Sequence, residues 1–316
     1  MMQTILVGIA AGIAAALMFL APVGGTMLAF PLFILTGLPI GLAGLGWGTM
    51  AGAVAAAAGT LTIFAALSTM GAAAFLLLFA LPVFWVARLA VMSRPAAEAS
   101  PDAPREWYPL GRMLVHLAVA VAIGLALVGI LVGFDRATMA PEVTQALVEL
   151  FAAMQTTGTP PTAAEVAPFV QFYLAIMPFS VAAMLVVIIT FDLWLAALVA
   201  RMSGRLQRPR ETMWGVDLPN QVLLALAGVT LLAFLPGAAG EVARVFAGAL
   251  AGAAALTGLA VMHALTAGIG GRTALLVIVY ALVVFSGLPL FLFVLLAIVE
   301  AVFRLRARRF KGVPPQ

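Results

Sequence analysis

The sequence predicts an all-α, polytopic transmembrane helix bundle of about eight to ten membrane segments, some of them short or broken. Three observations predict it. The first 87 residues contain no Asp, Glu, Lys, Arg or His, and the first charged side chain is Arg88. Over the whole chain 65% of residues are hydrophobic and 9% are charged, with a mean hydropathy of +1.19. Ordinary globular domains are about 25% charged. Polar loops divide the chain into apolar runs, many of them near the ~20 residues that cross hydrocarbon. A folded surface in water needs polar groups, so the solvent for these runs is lipid.

Breakers place helices near 4–21, 26–37, 41–66, 69–92, 110–134, 167–200, 218–235, 243–267, 273–286 and 289–305. The first lacks the basic residues that open a signal peptide and is expected as a retained helix. The second contains Pro31 and is too short to span unaided, so it reads as a tilted half-helix or a re-entrant segment. Residues 1–92 form a charge-free N-terminal bundle. Residues 93–109 form a Pro/Ala/Ser-rich linker expected to be flexible. Residues 110–316 form a C-terminal bundle with an outer segment at 135–166 and a basic tail at 304–316.

In the outer segment Pro141 suits a first helical position. Val143, Leu147, Leu150, Phe151 and Met154 recur at helical spacing, which predicts an amphipathic helix on the outer surface or over the bundle. Thr162 and Glu165 have capping-box spacing and start the sixth helix.

Charge sets the direction. Arg88, Arg94, Arg105 and Arg112 flank the first polar loop; Arg201, Arg205, Arg208 and Arg210 lie in the second. Arg272 and the tail residues Arg304, Arg306, Arg308, Arg309 and Lys311 follow. Ten alternating spans put these fourteen of the sixteen basic residues on one face, leaving Arg136 and Arg244 on the other. Basic residues concentrate in cytoplasmic loops, so both termini are expected in the cytoplasm of a bacterial inner membrane. Trp107, Tyr108 and Trp214 fit an interfacial aromatic belt on that face. The net charge of +4 and pI near 10.3 reflect this bias. Nucleic acid is not an expected partner.

Glycines at four-residue spacing stand out: Gly8/Gly12, Gly44/Gly48/Gly52 and Gly248/Gly252. Each set falls on one helix face and lets another backbone approach. Packing within the chain is the favoured reading; docking of a membrane partner or a second copy is the alternative.

Asp192 is the most unusual residue. It precedes Arg201 by nine positions, so it lies roughly 13 Å deeper along the helix. A carboxylate there costs about 2.5–3.5 kcal/mol on insertion scales. It is expected to face the interior, paired or protonated. His263, Tyr173, Gln171 and Tyr280 are further candidates for lining a cavity with it, placed between helices six and eight. Glu300 and Arg304 are spaced for an intrahelical ion pair.

Absence of cysteine excludes disulfides and thiolate metal sites, and two histidines do not make a histidine cluster. No metal, cofactor or catalytic constellation is expected. No phosphate-binding glycine loop ending in Lys is present, so any energy coupling falls to a partner.

Gly258-Leu-Ala-Val-Met-His-Ala264 precedes a glycine-rich turn and Arg272. Ala274-Leu-Leu-Val-Ile-Val-Tyr280, an apolar hairpin, and Glu300 before an arginine cluster follow. With the charge-free N-terminal bundle, this order resembles the YybS-like family of bacterial integral membrane proteins. That family is distantly similar to the substrate-binding components of energy-coupling-factor vitamin transporters. The resemblance implies capture of a small molecule and docking on a coupling subunit through small-residue faces such as Ala10/Ala14. Binding or movement of a small molecule is therefore the leading expectation. A membrane scaffold or assembly protein without substrate is the second.

Overall fold

The computed structural model describes residues 1–95, 105–154, 159–211, 215–286 and 289–310. The centre of the 93–109 linker, Trp214 and the tail from Lys311 lie outside them. Among the described residues, seven helices are long and apolar enough to cross a membrane, and three shorter apolar helices accompany them. The chain is an all-α polytopic bundle.

Helix α1 (Met2–Leu20) leads through a short 3-10 turn, Ala21–Gly24, to α2 (Ala29–Ile34) and α3 (Leu38–Trp47). The last two form one interrupted span over Ala29–Trp47. The expected 41–66 helix does not exist. The chain reverses at Gly48, whose φ of 90° and ψ of 174° suit glycine almost alone. Helix α4 (Thr49–Ala66) then returns along α3. Gly44 and Gly52 face each other across this hairpin, where a Cβ on Gly52 would lie 3.0 Å from the Gly44 Cα. The triplet Gly44/Gly48/Gly52 is therefore two contact points and a corner, not a stripe on one helix.

The fourth span is continuous over Thr69–Ala90. It comprises α5 (Thr69–Phe75), a π-turn at Leu76–Ala80 and α6 (Leu81–Ala90). Pro82 follows the widened turn; proline removes an amide donor, and such turns absorb that loss. At the two described ends of the linker, β1 (Ser93–Pro95) pairs antiparallel with β2 (Arg105–Trp107).

Helix α7 (Leu110–Val132) is followed by α8 (Arg136–Met154). Pro141 lies inside α8 rather than at its start. The true cap is Asp135, whose Oδ1 accepts the Ala137 N–H at 3.2 Å. Helix α9 (Ala163–Met202) has 40 residues, about 60 Å, or twice the hydrocarbon thickness. It begins with the expected capping box of Thr162 and Glu165. Its first half carries α8 through a satellite core of Val166, Val170 and Leu174 against Met139, Val143 and Leu147. The amphipathic helix thus packs on α9. Leu150, Phe151 and Met154, expected on its buried stripe, are exposed.

The remaining helices are α10 (Asn220–Leu232), α11 (Gly237–Leu265), α12 (Arg272–Ser286), α13 (Pro289–Phe303) and α14 (Leu305–Arg309). The most buried is α11, sandwiched by α7, α9 and α13. Helix α3 packs on α9 and α6 on α7, so both sides of the linker contribute to one core.

The glycine faces are filled within the chain. Gly8 meets Ala51 and Val54, and Gly12 meets Ala55 and Gly59, so α1 runs parallel to α4. Gly248 sits against Phe179 and Gly252 against Ala183. Ala10 is exposed and Ala14 half-buried, on the side of α1 away from α4. The contact at Gly248 and Gly252 closes helices six and eight together at that level, so the space expected between them opens only at the far end of the pair, away from Asp192.

The basic loops converge at one end. Arg208 is buried and donates to Ala90 O (3.2 Å), Tyr108 O (2.8 Å) and Glu211 (2.6 Å). Arg205 lies over the Trp47 ring at 4.3 Å. Arg306 binds Glu300 at 2.9 Å and Val216 O at 3.0 Å, and Arg309 reaches Ala267 O at 3.0 Å. The expected pair of Glu300 with Arg304 gives way to this one. Arg304 takes the left-handed conformation (φ 50°) that ends α13, and the turn brings Arg306 onto the acid.

Candidate functional site

Span two breaks because Pro39 stands in the first turn of α3 and offers no N–H for α2 to continue. The chain tightens there into i→i−3 bonds: Leu35 N–H to Leu32 O (3.1 Å), Thr36 N–H to Phe33 O (3.2 Å) and Leu38 N–H to Leu35 O (3.1 Å). The Thr36 hydroxyl donates to Phe33 O at 2.7 Å. The Gly37 amide is left pointing out of the break.

Asp192 meets that amide. On α9 the buried residues Leu185, Ile189, Asp192, Ala196 and Ala200 recur at helical spacing, and this stripe faces α3. Asp192 is fully buried. Its Oδ2 accepts the Gly37 N–H at 2.9 Å across 155 positions of sequence. Its Oδ1 is buried without a hydrogen-bond partner among the described residues. Only glycine fits opposite: a Cβ on residue 37 would lie 2.7 Å from Oδ2 and 2.8 Å from Val83. The acid thus stands at the N-terminus of a half-helix, where the helix dipole favours negative charge. One oxygen is held there; the other is available to a proton or a donor.

The other expected residues lie elsewhere. Tyr173 and Gln171 precede Asp192 by nineteen and twenty-one positions on the same helix, so they are about 28 and 32 Å away along it. Both are exposed. His263 bonds the Tyr280 hydroxyl at 2.8 Å, with Arg272 at 3.5 Å from its Nδ1. This cluster belongs to α11 and α12. Among the described residues, no single cavity holds all five candidates. A second histidine cluster, not among the candidates, joins His116 to the Tyr108 hydroxyl at 2.9 Å and to Trp85 at 3.5 Å.

A cleft of about 1070 Å³ opens at the other end of the molecule, between α8, the first half of α9 and the start of α11. Leu174 on its wall precedes Arg201 by twenty-seven positions, about 40 Å. Arg136 and Arg244 both pair with Glu241, the latter at 2.7 Å. Gln171 lines this cleft, not the Asp192 site. Sequence reasoning misses Arg136 and Glu241 as site residues, although their signal is present: they belong to the small set of charges on the face away from the basic loops.

Compared with family models, with curated proteins and with solved structures, the chain matches none of them. The fold and the site by themselves define a multi-pass membrane protein with a carboxylate buried at a broken helix.

Proposed function

We propose that the chain resides in a bacterial inner membrane and binds and moves a small molecule. Asp192 and the interrupted second span form its working element. One observation carries this reading: a fully buried carboxylate, with one oxygen unpaired, caps a half-helix inside the membrane. Acids are costly in hydrocarbon and mark pathways or binding sites there. Discontinuous helices whose ends face a polar group recur at the centres of transporters. Energy, where needed, comes from a membrane partner. The scaffold alternative is weakened because the glycine faces it assigns to another protein are occupied by α4 and α9.

The test is native mass spectrometry of the protein purified from its own membranes, as wild type and as Asp192→Asn. A copurified small molecule in the wild type, reduced several-fold in the variant, is expected. Identical spectra with no bound molecule in either would favour the scaffold.

The arginine-rich end faces the cytoplasm in this reading, by the positive-inside rule. The chain has no cysteine, so single labels are clean. Ser203→Cys reports the basic end and Thr159→Cys the other; both parent residues are exposed. A membrane-impermeant maleimide applied to spheroplasts should label Thr159→Cys alone. Labelling of Ser203→Cys alone would invert the molecule.

A further inference from the structure

We infer that the cleft beneath α8 is a binding site for a zwitterion: a cationic nitrogen and an acid group a few bonds apart, carried on an apolar body. The inference adds a ligand class to the reading of a small-molecule membrane protein and rests on that reading only for the claim that the ligand is moved.

The balance of charge in the cleft wall, where Asp135, Arg136 and Glu241 stand with Arg244 behind Glu241, leads to it. Glu241 and Arg244 pair at 2.7 Å and offset each other. Arg136 reaches Glu241 as well, so this carboxylate is shared between two guanidiniums. Arg136 stays one-third exposed, and its two terminal nitrogens have no hydrogen-bond partner among the described residues. Its neighbour Asp135 uses Oδ1 to cap α8. Asp135 Oδ2 has no partner among the described residues. One cation and one anion therefore remain uncompensated on the same half-enclosed surface. The Glu241 Oε2 is buried and unpartnered as well.

A simple anion would meet Arg136 but would set its charge against Asp135 and Glu241. A simple cation would meet those acids but face Arg136, and Arg244 already offsets Glu241 from behind the wall. A zwitterion satisfies both, and in a recess of lowered dielectric both attractions strengthen. Arg presents a planar fork suited to carboxylate or phosphate. Much of the rest of the wall is apolar, with Phe134, Ala140, Val148, Ala167 and Leu174, and so accepts an aliphatic body. Thr144, Gln145 and Gln171 add neutral polar groups, of which Thr144 and Gln145 are bonded within α8. This mixture of apolar wall and few convergent polar groups is the usual make-up of a ligand site. The same chemistry is offered by a free amino acid and by a phosphatidylethanolamine headgroup.

The experiment uses the full chain in nanodiscs of phosphatidylglycerol alone, which contain no zwitterionic lipid. Thermal unfolding is followed by tryptophan fluorescence with three isosteric probes: L-leucine, 4-methylpentanoate, which lacks the amine, and 3-methylbutylamine, which lacks the acid. Leucine is expected to raise the midpoint by about 3 °C at roughly ten times its Kd. The two half-probes should give less than a third of that. Arg136→Gln and Asp135→Asn should each abolish the response; the asparagine keeps an oxygen for the α8 cap and hence the fold. In a second arm, nanodiscs containing phosphatidylethanolamine replace leucine. A rise there that vanishes in both variants, without a response to leucine, identifies the zwitterion as a headgroup. Equal shifts from leucine and 4-methylpentanoate would overturn the inference. So would shifts that survive both substitutions, or no response in either arm. None of these results touches the Asp192 reading, because Asp192 is no part of the cleft wall.

Discussion

Replacing Gly248 with leucine should cost about 3 kcal/mol or more and leave little monodisperse protein after detergent extraction. Even the first atom of the new side chain has nowhere to go. A Cβ at this position runs into the Phe179 carbonyl oxygen, which is helix backbone and cannot rotate away as a side-chain tip would. Relief requires α9 and α11 to separate. These are the longest helix and the most buried one, and the 40-residue α9 also carries α8 and Asp192. Separation would therefore propagate to both the cleft and the broken span. Gly129 is the control: it lies in α7, and a methyl group added there would meet nothing within 4 Å. Gly129→Ala should shift the midpoint by no more than its helix propensity implies, a gain of up to about 1 kcal/mol. Fluorescence-detected unfolding of the two variants beside wild type measures the difference. A wild-type midpoint in Gly248→Leu would show that the two backbones do not touch.

Removing the carboxylate of Asp192 has the second largest expected effect. In Asp192→Ala the Gly37 N–H loses its acceptor in a buried site, and space is left between α9 and α3. An unpaired buried donor costs about 1–3 kcal/mol, and the lost packing adds to that. Asp192→Asn keeps one oxygen for Gly37 and should lose only about 1 kcal/mol. Amide hydrogen exchange distinguishes the two directly. The Gly37 amide should exchange at least tenfold faster in the alanine variant and near the wild-type rate in the asparagine variant. Equal exchange in all three proteins would mean that Asp192 does not hold the break closed. The stability test also separates structure from binding. If Asp192→Asn folds normally yet loses its copurified molecule, the acid acts on a ligand as well as on the helix.

Why so much of the membrane architecture is legible in the sequence follows from particular segments. The charge-free run to Arg88 and the spacing of the arginine loops are properties of composition, and lipid responds to composition. The capping box at Thr162 and Glu165 is legible because its partners are three residues apart. Asp192 is legible as an outlier, since a lone acid in an apolar helix stands out without knowledge of its neighbours. Its partner is not. Gly37 lies 155 positions away, and its amide carries no side-chain signal. Gly48 is ambiguous for a related reason: a glycine in a small-residue helix and a glycine at a reversal look the same until the contact of Gly44 with Gly52 is known. The cleft residues Arg136 and Glu241 are legible as charges but not as partners, because they meet across α8 and α11.

Local chemistry, then, determined from sequence alone that this chain is a helical bundle in lipid, roughly where its apolar segments run, and where its unusual acid lies. Those properties depend on the solvation of each segment taken singly. The tertiary structure alone decided that the second span breaks onto Asp192, that the glycine faces are filled from within, and that a cleft with opposed charges forms far from that acid. Each of these depends on backbones meeting at distances that only the packed bundle sets.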